Sequence, residues 1–287
     1  MRALYDVPAP AKLNLFLHIT GQRPDGYHLL QSVFMLIDWS DTLHFEVRSD
    51  GALTREDLSV PLPENDLTLR AARALQAATQ CPQGAHIGVH KSVPAQAGMG
   101  GGSSDAATTL LALNKLWGLD LPRRQLEAIG LTLGADVPFF LRGRNAWVEG
   151  IGDIIHPLEL KHTLPRSSFV VIKPKAGLDT KAIFSSPFLE RDSERATISG
   201  FAAAHYHFGK NNLQPVAQAL CPEIGQALRW LELKGLQGRM TGSGSAVFAQ
   251  MPQAVDLRDA PSAWQVKACE NLAIHPLAGW IADEDIG

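Results

Sequence analysis

Lys12, Asp136 and a glycine-rich run between them are the residues whose types and spacing suit catalysis in this chain. The run reads Pro94, Ala95, Gln96, Ala97, Gly98, Met99, Gly100, Gly101, Gly102, Ser103, Ser104, with four glycines and two serines in its last seven positions. It leads directly into Ala106 to Trp117, where Leu110, Leu113, Leu116 and Trp117 recur at helical spacing. Backbone amides approach an anion closely only where Cβ atoms are absent, and a helix N-terminus adds unsatisfied donors and the positive end of a dipole. The combination predicts a phosphate-binding loop. A flexible glycine linker does not usually continue into a capped amphipathic helix. The run is not a G-x-x-x-x-G-K-[ST] loop, because it lacks the lysine, and Ser103 breaks G-x-G-x-x-G.

Lys12 lies in Ala11 to Ile19, where apolar residues alternate with Lys12, Asn14, Phe16 and His18, so a strand would place Lys12 and Asn14 on one face. Asp136 sits in Gly134-Ala-Asp-Val-Pro138, a segment that the proline predicts to be a sharp loop with Val137 extended. A carboxylate beside a substrate hydroxyl can take its proton, and a nearby lysine can hold the carboxylate ionised or balance transferring phosphoryl charge. Taken singly, each also reads as an ordinary solvated or ion-paired group. Thr241-Gly-Ser-Gly-Ser245 is either a second glycine loop near phosphate or a tight helix-to-strand connection. Gly242-Ser-Gly-Ser-Ala246 lacks the closing glycine of a serine-hydrolase elbow. His86 and His90 fall on strand-like sequence and His205-Tyr-His207 on polar sequence, neither with a third metal ligand near.

The elements that must position these groups alternate between strand and helix patterns. After the Asp25-Gly26 turn, strands are expected at Thr42 to Arg48, His86 to Val93, Ala146 to Glu149, Phe169 to Lys173 and Ala246 to Gln250. Helices are expected at Asp66 to Ala78, from a start at Ser103 to Asp105 up to Gly118, from an Asp120 cap to Leu133, at Thr180 to Phe184, and at Glu223 to Lys234. The pattern is α+β. Its 287 residues correspond to about two domains at roughly 150 residues each. Proline-bounded Pro157 to Pro165 is the linker candidate, giving domains at 1–160 and 161–287.

Composition excludes several classes. Hydrophobic residues at 45% and charged residues at 19% suit a packed globular chain and not a disordered one. The formal charge of −3, without a basic run, argues against nucleic acid as partner. Three cysteines without a C-x-x-C pair suggest buried thiols in a reducing compartment. No secretory h-region and no apolar run of about 20 residues is present, so a soluble cytoplasmic protein is expected.

Pro10-Ala-Lys-Leu-Asn14, the 94–104 run followed by Asp105-Ala-Ala, and Thr241 to Ser245 occur in the order in which the GHMP small-molecule kinases carry their motifs; the chain resembles that family from about residue 8 to 250. Arg23-Pro-Asp-Gly-Tyr-His28 and Gly134 to Pro138 look closest to the branch whose acceptor alcohol bears a cytidine diphosphate. The resemblance implies an N-terminal domain like ribosomal protein S5 domain 2, a ferredoxin-like C-terminal domain and a cleft between them. It implies ATP as co-substrate with Mg²⁺, the ion held with Ser103 or Ser104 as candidate ligands. Lys12 and Asp136 would act together on the acceptor's 2-hydroxyl, and residues 94–104 would wrap the ATP phosphates. Tyr27 and Phe184 match aromatics that sandwich the cytosine and His28 matches the residue that reads its edge, while Asn14, Phe34 and Thr180 match other substrate-pocket positions. Stacking of this kind is worth about 1–3 kcal/mol per base. No obligate protein partner and no membrane is implied. The rival readings are a GHMP kinase for a mevalonate- or homoserine-type alcohol, which needs no base sandwich, and a nucleotide sensor without chemistry.

Overall fold

The computed structural model describes residues 2–159 and 162–281. The first half holds strands β1 (Ala3–Gln22), β2 (His28–Arg48), β3 (Leu53–Asp57), β4 (Gly84–His90), β5 (Ala146–Glu149) and β6 (Ile154–Pro157). Its helices are α1 (Leu67–Thr79), α2 (Gly101–Leu116), α3 (Arg123–Leu133) and α4 (Val137–Arg142). The second half holds β7 (Ser168–Lys173), α5 (Thr180–Phe184), α6 (Ile198–Ala204), α7 (Gln214–Leu220), α8 (Pro222–Leu233), β8 (Arg239–Met240), β9 (Val247–Met251) and β10 (Gln265–Leu272).

β1 and β2 form a long antiparallel pair, and β2 also pairs with β4, β5 and β10. β3 joins β4 in parallel. β10 then pairs with β7, which pairs with β9, and β9 with β8, so one continuous path of strands runs through both halves. Burial explains the length of the central pair. One apolar cluster packs Phe45, Ile87 and Val89 against α1, α2 and α4, a second packs Leu13, Leu15, Phe16 and Met35 against Phe169, Val171 and Phe248, and a third lies between β7, β9 and helices α7 and α8. β1 is thus covered on both faces, and the alternation read as one polar face marks Lys12 and Asn14, which are buried polar residues. The fold is α+β, as expected.

The expected boundary at 160/161 lies outside the described residues. Leu277 and Ile281 return from the second half to the first half's core.

Three local expectations need correction. α2 starts at Gly101 with Gly100 as its N-cap and no side-chain cap bond, earlier than the serines suggested. The serine and aspartate side chains therefore sit inside the first turns and the terminal amides stay open. α3 is preceded by Pro122 and not by an Asp120 cap. Val137, expected to be extended, opens α4, because Pro138 is tolerated in a first helical turn and burial of Phe139 and Phe140 outweighs the local preference. Helices α6 and α7 and strands β3, β6, β8 and β10 had no distinct sequence signal. Two of the three cysteines are buried and Cys81 is half-buried, all three free. Among the described residues no helix is long and apolar enough to cross a membrane.

Candidate active site

Lys12 follows a shift in the β1/β2 register between Pro10 and Lys12, a local irregularity of the kind that re-aims a side chain. The residue is 4% exposed, and its ammonium lies 3.5 Å from Asp136 Oδ2. The same Nζ donates to Asn14 Oδ1 at 2.6 Å and stands 4.3 Å from the Phe34 ring centroid. Asp136 holds the N-cap position of α4 without capping it, so its carboxylate is committed to no backbone amide there, and its side chain is 30% exposed. Strand and helix terminus thus bring together the two groups that sequence alone left apart.

The glycine run lines a cleft of about 980 Å³. Gly98 and Gly100 both have φ of +70°, and a Cβ on Gly98 would stand 2.3 Å from Thr241 O, so only glycine fits there. The loop is anchored from three sides. Lys12 N–H donates to Met99 O at 2.9 Å, Ser245 N–H to Gln96 O at 3.2 Å and Ala246 N–H to Ala97 O at 3.3 Å. Thr241 Oγ1 accepts from Asn14 N–H at 2.8 Å and lies 3.4 Å from Gly98 O. The 241–245 turn is therefore a strap that holds the loop against β1. Pro94 to Ser103 line the cleft, whereas Ser104 is buried beneath it and its hydroxyl donates to Pro10 O at 2.7 Å. That use of its proton, with full burial, leaves Ser103 as the serine facing the cleft.

The cleft also includes Lys91 and Asp105, which sequence reasoning missed. Lys91 Nζ donates to buried Asp41 and, at 2.5 Å, to Asp105 Oδ2. Asp41 in turn accepts from Val93 N–H at 2.8 Å, fixing the entrance to the loop. Burial lifts the Asp105 carboxyl to about 7 although Lys91 pulls it down, with Asp41 adding to the rise. Lys91 is raised by its two carboxylates against the effect of its burial. Because Asp105 titrates higher folded than unfolded, the folded state holds the extra proton between about pH 4 and 7, so its contribution favours folding at low pH and is lost as pH rises through 7. Asp105→Asn is expected to flatten that part of a stability–pH curve measured by denaturant unfolding; an unchanged slope would contradict it.

A second pocket of about 530 Å³ is lined by Tyr27, His28, Lys181, Phe184 and Arg191 among others. Tyr27 is 60% exposed, and the Phe184 ring lies 5.0 Å from that of His28 at 38°. Burial and the charge of Arg191 both lower the His28 pKa. Asn14, Phe34 and Thr180, matched to the other substrate-pocket positions, lie outside this second pocket, and Asn14 accepts from Lys12 Nζ. Phe34 is buried under Lys12, and Thr180, whose hydroxyl is 2.8 Å from Ser243 Oγ, lines the glycine-loop cleft. Thr180 thus belongs geometrically to the phosphate side. The histidines join no metal cluster: among the described residues no group of three His, Cys, Asp or Glu is placed to hold an ion.

Residues 66–144 match the family model "GHMP kinases N terminal domain" and residues 195–268 match "GHMP kinases C terminal". A 4-diphosphocytidyl-2-C-methyl-D-erythritol kinase of Paracidovorax citrulli (strain AAC00-1) is 75% identical over 285 residues, covering 99% of this chain and 100% of that one. The enzyme of the same name from Delftia acidovorans (strain DSM 14801 / SPH-1) is 64% identical with full coverage of both chains. Among solved structures, a 4-(cytidine 5'-diphospho)-2C-methyl-D-erythritol kinase superposes with a TM-score of 0.78 at 32% identity, over 92% of this chain and 98% of that one. A homoserine kinase from Cytophaga hutchinsonii ATCC 33406 shares the fold, with a TM-score of 0.68 at 13% identity over 96% of each chain.

Proposed function

This chain belongs to the 4-diphosphocytidyl-2-C-methyl-D-erythritol kinases of the GHMP kinase family, and from that membership we propose how its own residues carry the reaction. The chain uses ATP to phosphorylate the 2-hydroxyl of 4-diphosphocytidyl-2-C-methyl-D-erythritol, giving the 2-phosphate and ADP. The observation that carries the residue assignment is the buried Lys12 ammonium 3.5 Å from Asp136 Oδ2, next to the open end of the glycine loop.

The triphosphate lies along residues 94–103, with Ser104 beneath them, its β- and γ-phosphates held by the loop amides and the uncapped first turn of α2. Asp136 accepts the proton of the attacking hydroxyl. Lys12, fixed by Asn14 and by the Phe34 face, keeps the carboxylate ionised and balances the charge that develops on the transferring phosphoryl group. Transfer is direct and in line, since positioning and charge neutralisation suffice for it. Mg²⁺ would arrive with the triphosphate and keep several waters, and Ser103 offers it one hydroxyl at the cleft. Ser103 would hold it, and the ion would neutralise β- and γ-phosphate charge.

The 530 Å³ pocket takes the cytidine, with Tyr27 and Phe184 as stacking faces and His28 at the base edge. The chain divides into domains 1–160 and 161–287, the second joined to the first through the end of β10, where Asn271 and Leu272 pair with β2, and through Leu277. It works in the cytoplasm without an obligate protein partner.

Incubation with γ-labelled ATP, Mg²⁺ and a panel of alcohols tests the reading. Label is expected in the cytidyl alcohol and not in mevalonate or homoserine. Preferential labelling of either aliphatic acid overturns the cytidine assignment, and ATP binding without any transfer overturns the kinase.

A further inference from the structure

Arg191 had no signal in the sequence, yet it occupies one ring nitrogen of the residue assigned to the base edge. Its Nε donates to His28 Nε2 at 3.0 Å. The rest of the guanidinium is fixed by carbonyls: Nη1 donates to Leu189 O at 3.0 Å, and Nη2 to Phe184 O at 3.0 Å and Ser186 O at 2.9 Å. Arg191 therefore ties the segment after α5, which carries Phe184, to the end of β2, which carries His28.

A guanidinium has donors and no acceptor, so the nitrogen it meets must present a lone pair. Nε2 of His28 is that nitrogen, and in a neutral imidazole the proton then resides on Nδ1. His28 Nδ1 has no hydrogen-bond partner among the described residues, so it is the ring nitrogen left for a ligand in the pocket. Burial and the neighbouring arginine charge disfavour the doubly protonated ring, in keeping with a single-donor imidazole.

We propose that Arg191 is a positioning residue that fixes His28 as the Nδ1–H tautomer and thereby sets the preference of the pocket for cytosine over uracil. The proposal rests on the cytidine reading of this pocket. N3 of cytosine is an acceptor and pairs with an Nδ1–H donor; N3 of uracil carries a hydrogen and opposes it. Without Arg191 the ring is free to move its proton to Nε2, and Nδ1 then accepts from uracil N3–H. The discrimination is written into the tautomer and not into pocket size, since the two bases have nearly the same shape.

The test has two arms. In the first, cytidine 5'-diphosphate and uridine 5'-diphosphate are titrated calorimetrically into the full chain and into Arg191→Ala. The parent is expected to favour the cytidine nucleotide by about tenfold or more, the effect of one mispaired buried hydrogen-bonding group. The variant's ratio is expected to fall towards one. Both nucleotides carry the same charge and sugar, so the ratio is insensitive to a general loosening of the pocket. In the second arm, long-range ¹H–¹⁵N correlation spectra of the parent chain report the His28 tautomer directly, which needs no variant to fold. An Nδ1–H pattern is expected. An Nε2–H pattern in the parent, or full discrimination retained by Arg191→Ala, overturns the assignment of Arg191 while leaving the cytidine reading intact. A parent that binds neither nucleotide overturns the cytidine reading and this inference with it.

Discussion

Asp136→Asn is expected to bind ATP with little change and to turn over about 10²–10⁴-fold more slowly, the range by which a positioned general base accelerates proton transfer. Asparagine keeps the shape and a hydrogen-bonding oxygen for Lys12 but cannot take the hydroxyl proton. The loss should therefore appear in kcat and in kcat/KM together, the pattern of an interaction made only in the transition state. The fold has little reason to suffer, because the Asp136 side chain caps no helix and is partly open to solvent. Steady-state kinetics, with ATP affinity and unfolding temperature measured alongside, separate the two effects. Near-normal turnover would mean that the proton leaves by another route.

Lys12→Met is expected to lower kcat by about 10²–10³-fold, comparable to losing one preorganised charge-stabilising donor. Methionine retains much of the aliphatic stem, which packs beside Gly100, so the loop should keep its course. The backbone bond from Lys12 N–H to Met99 O does not depend on the side chain. What is lost is the ammonium that Asn14 Oδ1, the Phe34 face and Asp136 all address. A Lys12→Met variant with normal kcat and weakened ATP affinity would place the ammonium in ground-state phosphate binding instead.

How much of this was legible in the sequence depended on whether a feature is local. The glycine loop and its adjoining helix are written in neighbouring residues, because close backbone approach is a short-range demand, and the alternation in β1 marks the strand but not its burial on both faces. The Lys12 and Asp136 pairing is set by a register shift in β1/β2 and by where α4 begins, and neither has a pattern in sequence. Pro138 even pointed the wrong way, since its local bias against helix yields to the burial of Phe139 and Phe140. In the sequence Asp105 signals only the start of α2, and Asp41 and Lys91 carry no motif; strand order and the start of α2 bring the three into one buried cluster. Arg191 carried no signal in the sequence, and its partners are backbone carbonyls and one histidine ring, which no motif encodes.

In the proposed mechanism Lys12 and Asp136 act as one unit on the acceptor hydroxyl. A double-mutant cycle on the single-turnover rate of phosphoryl transfer measures this directly, using Asp136→Asn, Lys12→Met and the combined variant with saturating ATP and cytidyl alcohol. Residues that work as a unit are strongly non-additive, so the combined variant is expected within a few-fold of the slower single variant. A combined loss equal to the product of the two single losses would contradict the account.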